Sequence, residues 1–183
     1  MVNMLEKNLP PDKLETTVTY LEMLAPPARL AARKPAPENT LIMRAVKPPV
    51  SFYRYLYNTV GAGWNWVARR KLSDEALAAL VQHPHIEIYV LYAGGVPGGY
   101  AELDFQHWPE VELVYFGLMP EFIGKGLGFH LIDEMIELVW QRQAKRFWLH
   151  TCTLDHPGAL RFYQKAGFTP YKEETEVVDK LDS

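Results

Sequence analysis

The chain has a single cysteine, Cys152, among its 183 residues. One thiol cannot close an internal disulfide, so the sequence reads as that of a protein from a reducing compartment. It also lacks any apolar run approaching the ~20 residues that span a bilayer. Between Met1 and Pro11, the polar residues Glu6, Lys7 and Asn8 stand where a signal peptide needs an apolar stretch, and the expected location is cytoplasmic. There is little surplus charge. The formal net charge is -3, which gives no general attraction to nucleic acid, although Arg69-Arg70 can hold one anion locally. His83 and His85 flank Pro84 with no cysteine or carboxylate at ligand spacing, so no metal is expected. Repeats and low-complexity runs are missing too.

What is present is an ordinary globular composition, 48% hydrophobic and 22% charged. The length suits one well-cored domain over residues 1–183. Within it, 1–40 reads as an N-terminal strand followed by a proline-rich connection. The strand is 14–24, rich in β-branched residues and ended by Pro26-Pro27. Ala28 to Asn39 lacks periodicity. Leu41 to Val46 reads as a short strand, and Val50 to Val60 as an aromatic helix broken by Gly61-Ala62-Gly63. Trp64 to Lys71 is a helical turn or a structured loop. Ser73 looks like an N-cap for a helix whose apolar face is Leu77, Leu80 and Val81.

A meander of strands follows. Ile86, Ile88, Val90 and Tyr92 alternate up to the Gly94-Gly95 turn. Tyr100, Glu102, Asp104 and Gln106 share one face of the next strand. Val111 to Met119 is nearly all apolar after Glu112, as a central strand should be. Gly126 to Gln141 is the clearest helix: Ile132, Met135, Ile136 and Val139 form a stripe, with Asp133, Glu134 and Glu137 away from it. Phe147 to Thr153 is a strand. Pro157 is expected at the first position of a short helix ended by Gly167, and Phe168 to Val178 is the last strand.

The segment Ile123-Gly124-Lys125-Gly126-Leu127-Gly128 lies between the apolar strand and the strong helix. Such a junction collects unpaired backbone N–H groups at the positive end of a helix dipole. Glycines let a phosphate approach that backbone closely, and Lys125 can add charge. The plain alternative is a tight turn without a ligand. The Gly-x-Gly-x-Gly spacing is not the dinucleotide fingerprint, and no Gly-Lys-Ser/Thr triphosphate loop is present. The meander before the loop indicates antiparallel strands, which further weakens a nucleotide-dependent oxidoreductase.

Here the sequence resembles the GNAT superfamily of N-acetyltransferases, which places an Arg/Gln-x-x-Gly-x-Gly/Ala loop after its fourth strand. Gly126-Leu127-Gly128 matches its glycine half and Met119-Pro120-Glu121-Phe122 its approach. Ile123 departs from the Arg/Gln position. Downstream, Ala159-Leu160-Arg161-Phe162-Tyr163-Gln164-Lys165-Ala166-Gly167-Phe168 resembles the family's Ala-x-x-Leu-Tyr-x-x-x-Gly-Phe segment, with His156 where Asn is usual. The resemblance covers about residues 86–172, the expected cofactor-binding core. It implies a single-domain α/β fold of the α+β type: a mixed, mostly antiparallel central sheet flanked by helices and splayed at the cofactor. It implies acetyl-CoA as acyl donor, with Leu118, Met119, Ile123, Gly124, Lys125, Gly126, Leu127, Gly128, Phe129, His156 and Tyr163 as its expected contacts. The pyrophosphate is expected on backbone N–H groups from Ile123 to Gly128, and the pantetheine arm on the backbone near Leu118. Gly117 marks either a bulge opening that gap or a packing glycine.

The resemblance also implies the chemistry: direct attack by a primary amine in a ternary complex. Glu112, placed like the base glutamate of histone-type members, is the first candidate general base, or else a strand-end carboxylate at the rim. Glu102 is the second candidate, or binds a cationic acceptor. Tyr163 is the candidate general acid, or a packed aromatic. His107 and His150 have no partner visible in sequence. Cys152 reads as a buried, inert thiol. Tyr53, Tyr55, Tyr57, Trp64 and Trp66 read as core or groove lining, with Arg69 or Arg70 available to an acceptor carboxylate. The acceptor is a small-molecule or protein amine, with neither nucleic acid nor membrane as partner, and a homodimer is compatible with the sequence. The rival function is a non-catalytic acyl-CoA-binding or sensing module on the same fold.

Overall fold

The computed structural model describes residues 9–181; Glu6, Lys7 and Asn8 of the signal-peptide reading lie outside them. In chain order the elements are β1 (Lys13–Met23), β2 (Thr40–Ala45), α1 (Val50–Val60), α2 (Asp74–Val81), β3 (Ile86–Ala93), β4 (Val96–Asp104), β5 (Glu110–Leu118), α3 (Leu127–Gln141), β6 (Arg146–Cys152), α4 (Ala159–Ala166) and β7 (Thr169–Asp179), with 3-10 turns at Ala28–Ala32 and Pro120–Phe122. Among the described residues no helix is long and apolar enough to cross a membrane.

Seven strands form one sheet in the order β2-β3-β4-β5-β6-β1-β7. Only β5 and β6 run parallel, and their ladder covers just Glu110–Glu112 against Arg146–Trp148. Every other neighbouring pair is antiparallel. Beyond Glu112 the two central strands separate, leaving a wedge that opens toward their C-terminal ends. β1 is not at an edge. It fills the slot between β6 and β7, with Leu21 opposite Leu149 and Thr17 opposite Thr175.

Alternation along the strands builds two cores. Tyr89 and Leu91 of β3 and Ala101 and Leu103 of β4 face α3, joining Leu131, Ile132, Met135, Ile136 and Val139. Burying such a side chain contributes about 1.5–3 kcal/mol, so this stripe anchors α3 rigidly. On the opposite face Ile88, Val90 and Tyr100 meet Tyr53, Leu56, Tyr57 and Val60 of α1 and Leu77 and Val81 of α2. Ser73 caps α2, its side chain accepting from the Ala76 N–H at 3.2 Å. α1 and α2 cover only the β3-β4-β5 half of their face, which leaves the wedge accessible beside them.

Two expectations need correction, and one alternative is decided. α4 begins at Ala159 with Gly158 as its N-cap, so Pro157 precedes the helix. Asp133 is buried rather than turned to solvent, because Arg29 reaches across from the turn after β1 to pair with it. Gly117 is not the bulge. It pairs regularly with Tyr100, and a Cβ there would lie 2.4 Å from Val60 Cγ1, so it is a packing glycine beneath α1. The bulge is at Val114: Glu102 pairs with Tyr115 and Leu103 with Leu113, which leaves Val114 without a Cα partner.

Candidate active site

The wedge between β5 and β6 holds a cavity of about 800 Å³. Residues from the Val114 bulge, Gly117 and Leu118 form one wall, and His150, Cys152 and Asp155 form the other. The glycine loop closes one end.

Local chemistry explains that loop. Gly124 has φ 80° and Gly126 φ 77°, left-handed values that a side chain strains by roughly 1 kcal/mol or more. A Cβ at either would meet nothing within 4 Å, so both glycines are there for conformation and for open approach. Gly126 caps α3, whose first internal backbone bond is His130 N–H to Gly126 C=O at 3.4 Å. Among the described residues, the amides of Gly124, Lys125, Gly126, Leu127, Gly128 and Phe129 therefore donate to no protein acceptor. Ile123 differs from the expectation. Its N–H already donates to Pro120 C=O at 3.3 Å, so the free row starts one residue later.

The remaining donor-side residues divide. Leu118, Ile123, Gly124, Gly126, Gly128, Phe129, His156 and Tyr163 line the cavity. Met119 does not: it is buried in the α1/α2 core and its N–H donates to Gly98 C=O at 2.9 Å. Leu127 buries its side chain under α3, which leaves only its amide for a ligand. The Lys125 ammonium lies 5.4 Å from the centre of the Phe122 ring and lines no part of the cavity.

Tyr163 is packed by Phe116, Phe162 and Phe168. Its hydroxyl makes no hydrogen bond among the described residues. Burial, reinforced by the Asp155 carboxylate, raises its pKa and keeps it protonated. It is a packed aromatic that also lines the cavity.

The two base candidates separate sharply. Glu102 is fully buried, accepts from the Tyr53 hydroxyl and pairs with Arg69 Nη2 at 2.7 Å. It lies outside the cavity and holds the segment after α1 in place. The same pair takes Arg69 away from any acceptor carboxylate, and Arg70 does not line the cavity. Glu112 sits at the apex of the wedge. Burial, then the Asp104 and Glu102 carboxylates, raise its pKa to about 7, while Arg69 opposes them. It too stops short of the cavity. His150 bridges the gap: it lines the cavity, and its Nε2 lies 3.7 Å from Glu112 Oε1. Desolvation lowers the His150 pKa, against Asp155 and Glu176, so the ring is predominantly neutral at pH 7.

His150 stands out in the sequence, but its partner does not. The 112–148 register that sets the pair exists only after β5 and β6 align. Cys152 is half-buried and lines the cavity; burial pushes its thiol up, consistent with an inert group. Tyr53 is core, Tyr55 is exposed, and Tyr57, Trp64 and Trp66 line the cavity.

The far end of the cavity was not foreseen. The loop after α1 crosses to the end of β7. Asn65 Nδ2 donates to Asp179 C=O at 2.7 Å, and its Oδ1 accepts from Leu181 N–H at 2.8 Å. Lys71 and Lys13 both pair with the Asp179 carboxylate. Lys13, Val177, Val178 and Asp179 thus become cavity residues because β1 lies between β6 and β7.

Comparison with known proteins bears on the fold and the family. No curated protein matches the sequence. The fold matches a functionally unknown conserved protein from Staphylococcus epidermidis (14% identity, 92% of this chain and 64% of that one, TM-score 0.65). It matches a GCN5-related N-acetyltransferase from Sphaerobacter thermophilus (17%, 89% and 50%, 0.62). It also matches the ribosomal-protein-S18-alanine N-acetyltransferase of Escherichia coli (14%, 79% and 96%, 0.60). The chain thus spans half to two-thirds of the length of the first two. At these identities the likeness concerns fold. The family model for acetyltransferases of the GNAT type matches residues 53–168, from α1 to Phe168, and the chain belongs to that family.

Proposed function

We propose that the protein transfers an acetyl group from acetyl-CoA to a primary amine by direct attack in a ternary complex. The observation that carries this reading is the row of free amides from Gly124 to Phe129 at one end of a cavity that Tyr163 also lines. Six N–H groups at a helix N-terminus suit a pyrophosphate without any arginine side chain, which accounts for Ile123 at the first motif position. Leu118 and Gly117, freed from β6 by the splay, offer backbone groups to a pantetheine arm.

The reacting centre falls near the Val114 bulge. There the backbone N–H of Val114, a residue without a Cα partner on β4, is the donor proposed for the oxyanion of the tetrahedral state. His150, neutral at pH 7 and facing the cavity, takes the proton of the attacking amine and shares it with Glu112 behind it. Tyr163 returns a proton to the departing thiolate. Because the amine is itself the nucleophile, no covalent enzyme intermediate is needed.

The test is acceptor-dependent thiol release from acetyl-CoA across a panel of primary amines, run beside CoA binding by calorimetry. Release with at least one amine is expected. Tight CoA binding with no release from any amine would leave only a non-catalytic acyl-CoA-binding module.

A further inference from the structure

The part of the cavity beyond the Val114 bulge has a chemistry of its own. Trp64, Trp66, Val67, Ala68, Val177 and Val178 wall it. Its polar groups are occupied with one another. Asn65 uses both ends of its amide on the backbone of Asp179 and Leu181. Asp179 is held by Lys13 and by Lys71, which together draw its carboxyl down to about 2. Two ammonium groups therefore hold one carboxylate, with the Asp12 carboxylate also acting on Lys13. Asp155 is the other carboxylate that lines the cavity and Glu102 lies outside it, and both are committed. Glu102 is paired with Arg69, and Asp155 accepts from the Thr151 hydroxyl at 2.8 Å and the Cys152 N–H at 3.0 Å. A second positive charge on an acceptor would meet two ammonium groups and no uncommitted carboxylate on the cavity wall.

Size points the same way. The Asn65 and Lys71 bonds tie the loop after α1 to the end of β7. Trp64 also meets the His156 ring edge-on at 5.3 Å across the opening. A polypeptide laid through this arm would have to break these contacts. A compact molecule would not.

We propose that the acceptor is a small apolar primary amine, with an aromatic or branched aliphatic body and no second positive charge. This rests on the acetyl-transfer reading above. The indole walls offer ring faces and apolar area to such a body, and the single amine is directed to His150.

Thiol release is measured with the full chain, acetyl-CoA and three acceptors: phenethylamine, spermidine and an alanine-initiated tetrapeptide. Phenethylamine is expected to exceed both others in kcat/KM by about tenfold or more, the discrimination a hydrophobic pocket gives. Equal or better use of spermidine or the peptide overturns the proposal. Ala68→Glu, which adds a carboxylate to the arm, is expected to shift the spermidine-to-phenethylamine ratio about tenfold toward spermidine; an unmoved ratio counts against it. If no amine releases thiol although CoA still binds, the acetyl-transfer reading fails instead. Calorimetry on the CoA-loaded protein then decides the acceptor, and tighter binding of spermidine than of phenethylamine overturns the assignment.

Discussion

The two ends of the cavity are built differently. The glycine-loop end comes from one continuous stretch, Ile123 to Phe129, whose conformation follows from local rules: two left-handed glycines, then a helix whose first amides have no internal acceptor. The opposite end is assembled from three segments far apart in the chain: Lys13 on β1, Trp64 to Lys71 after α1, and Val177 to Asp179 on β7. It holds only while β1 stays between β6 and β7. A locally encoded site tolerates change in its surroundings. An assembled one depends on its ties.

The largest effect is expected from Gly126→Glu. A carboxylate at the free amides repels a pyrophosphate, and CoA affinity should drop about 10³-fold in calorimetry with the fold retained by circular dichroism, since the added Cβ meets nothing within 4 Å and the left-handed backbone costs only about 1 kcal/mol. Retained binding would mean that the loop is a plain turn. At the assembled end, Glu102→Gln leaves Arg69 without its buried counter-charge. A loss of about 3 kcal/mol, or roughly 6–12 °C in Tm, is expected. An unchanged Tm would deny that this pair holds the loop after α1.

Tyr163→Phe keeps the aromatic packing and removes the proton. The expected result is kcat about 10²-fold lower with acceptor KM little changed; an unchanged kcat would reduce Tyr163 to packing.

Glu112→Gln tests the apex where the two ends meet. The wild type should show kcat/KM rising with pH to a plateau above about 7, the value to which burial raises this carboxyl. The variant should lose that limb and about tenfold in rate near pH 7. Stability follows the same proton. The folded carboxyl binds it more tightly than the unfolded one, whose ordinary value is 4.5, so the associated stability is full below 4.5 and is lost as pH rises through about 7. Glu112→Gln should therefore raise Tm relative to wild type at pH 8 and bring no such gain at pH 4. The smallest effect is expected from Asn65→Ala, which removes two hydrogen bonds between loop and β7 for about 1 kcal/mol. It should raise acceptor KM and leave CoA affinity alone; a loss of CoA affinity would show that the two ends are not independent.

Much of this was legible in the residues. Periodicity placed β1, α1, α3, β3 and β5 within a residue or two, because their apolar positions repeat at 2.0 or 3.6, whereas β4 starts four residues before Tyr100 and ends before Gln106. The glycine loop and Tyr163 were visible because each lies within one short segment. Asp133 was misplaced on the α3 surface because its partner Arg29 lies 104 residues earlier. Glu102 seemed available as a base because nothing in its own strand reveals Tyr53 and Arg69. Gly117 attracted attention as a glycine in a strand, whereas the bulge needed only Val114, whose side chain carries no such signal.

The sequence by itself determined the element types, the free amides of the loop and the family motifs, since these depend on neighbours a few residues apart. The tertiary structure alone decided the place of β1, the meeting of His150 with Glu112, the burial of Glu102 and the apolar arm closed by Asn65 and Asp179. Each of these is a pairing between distant segments, fixed by strand order and register, which no local preference encodes.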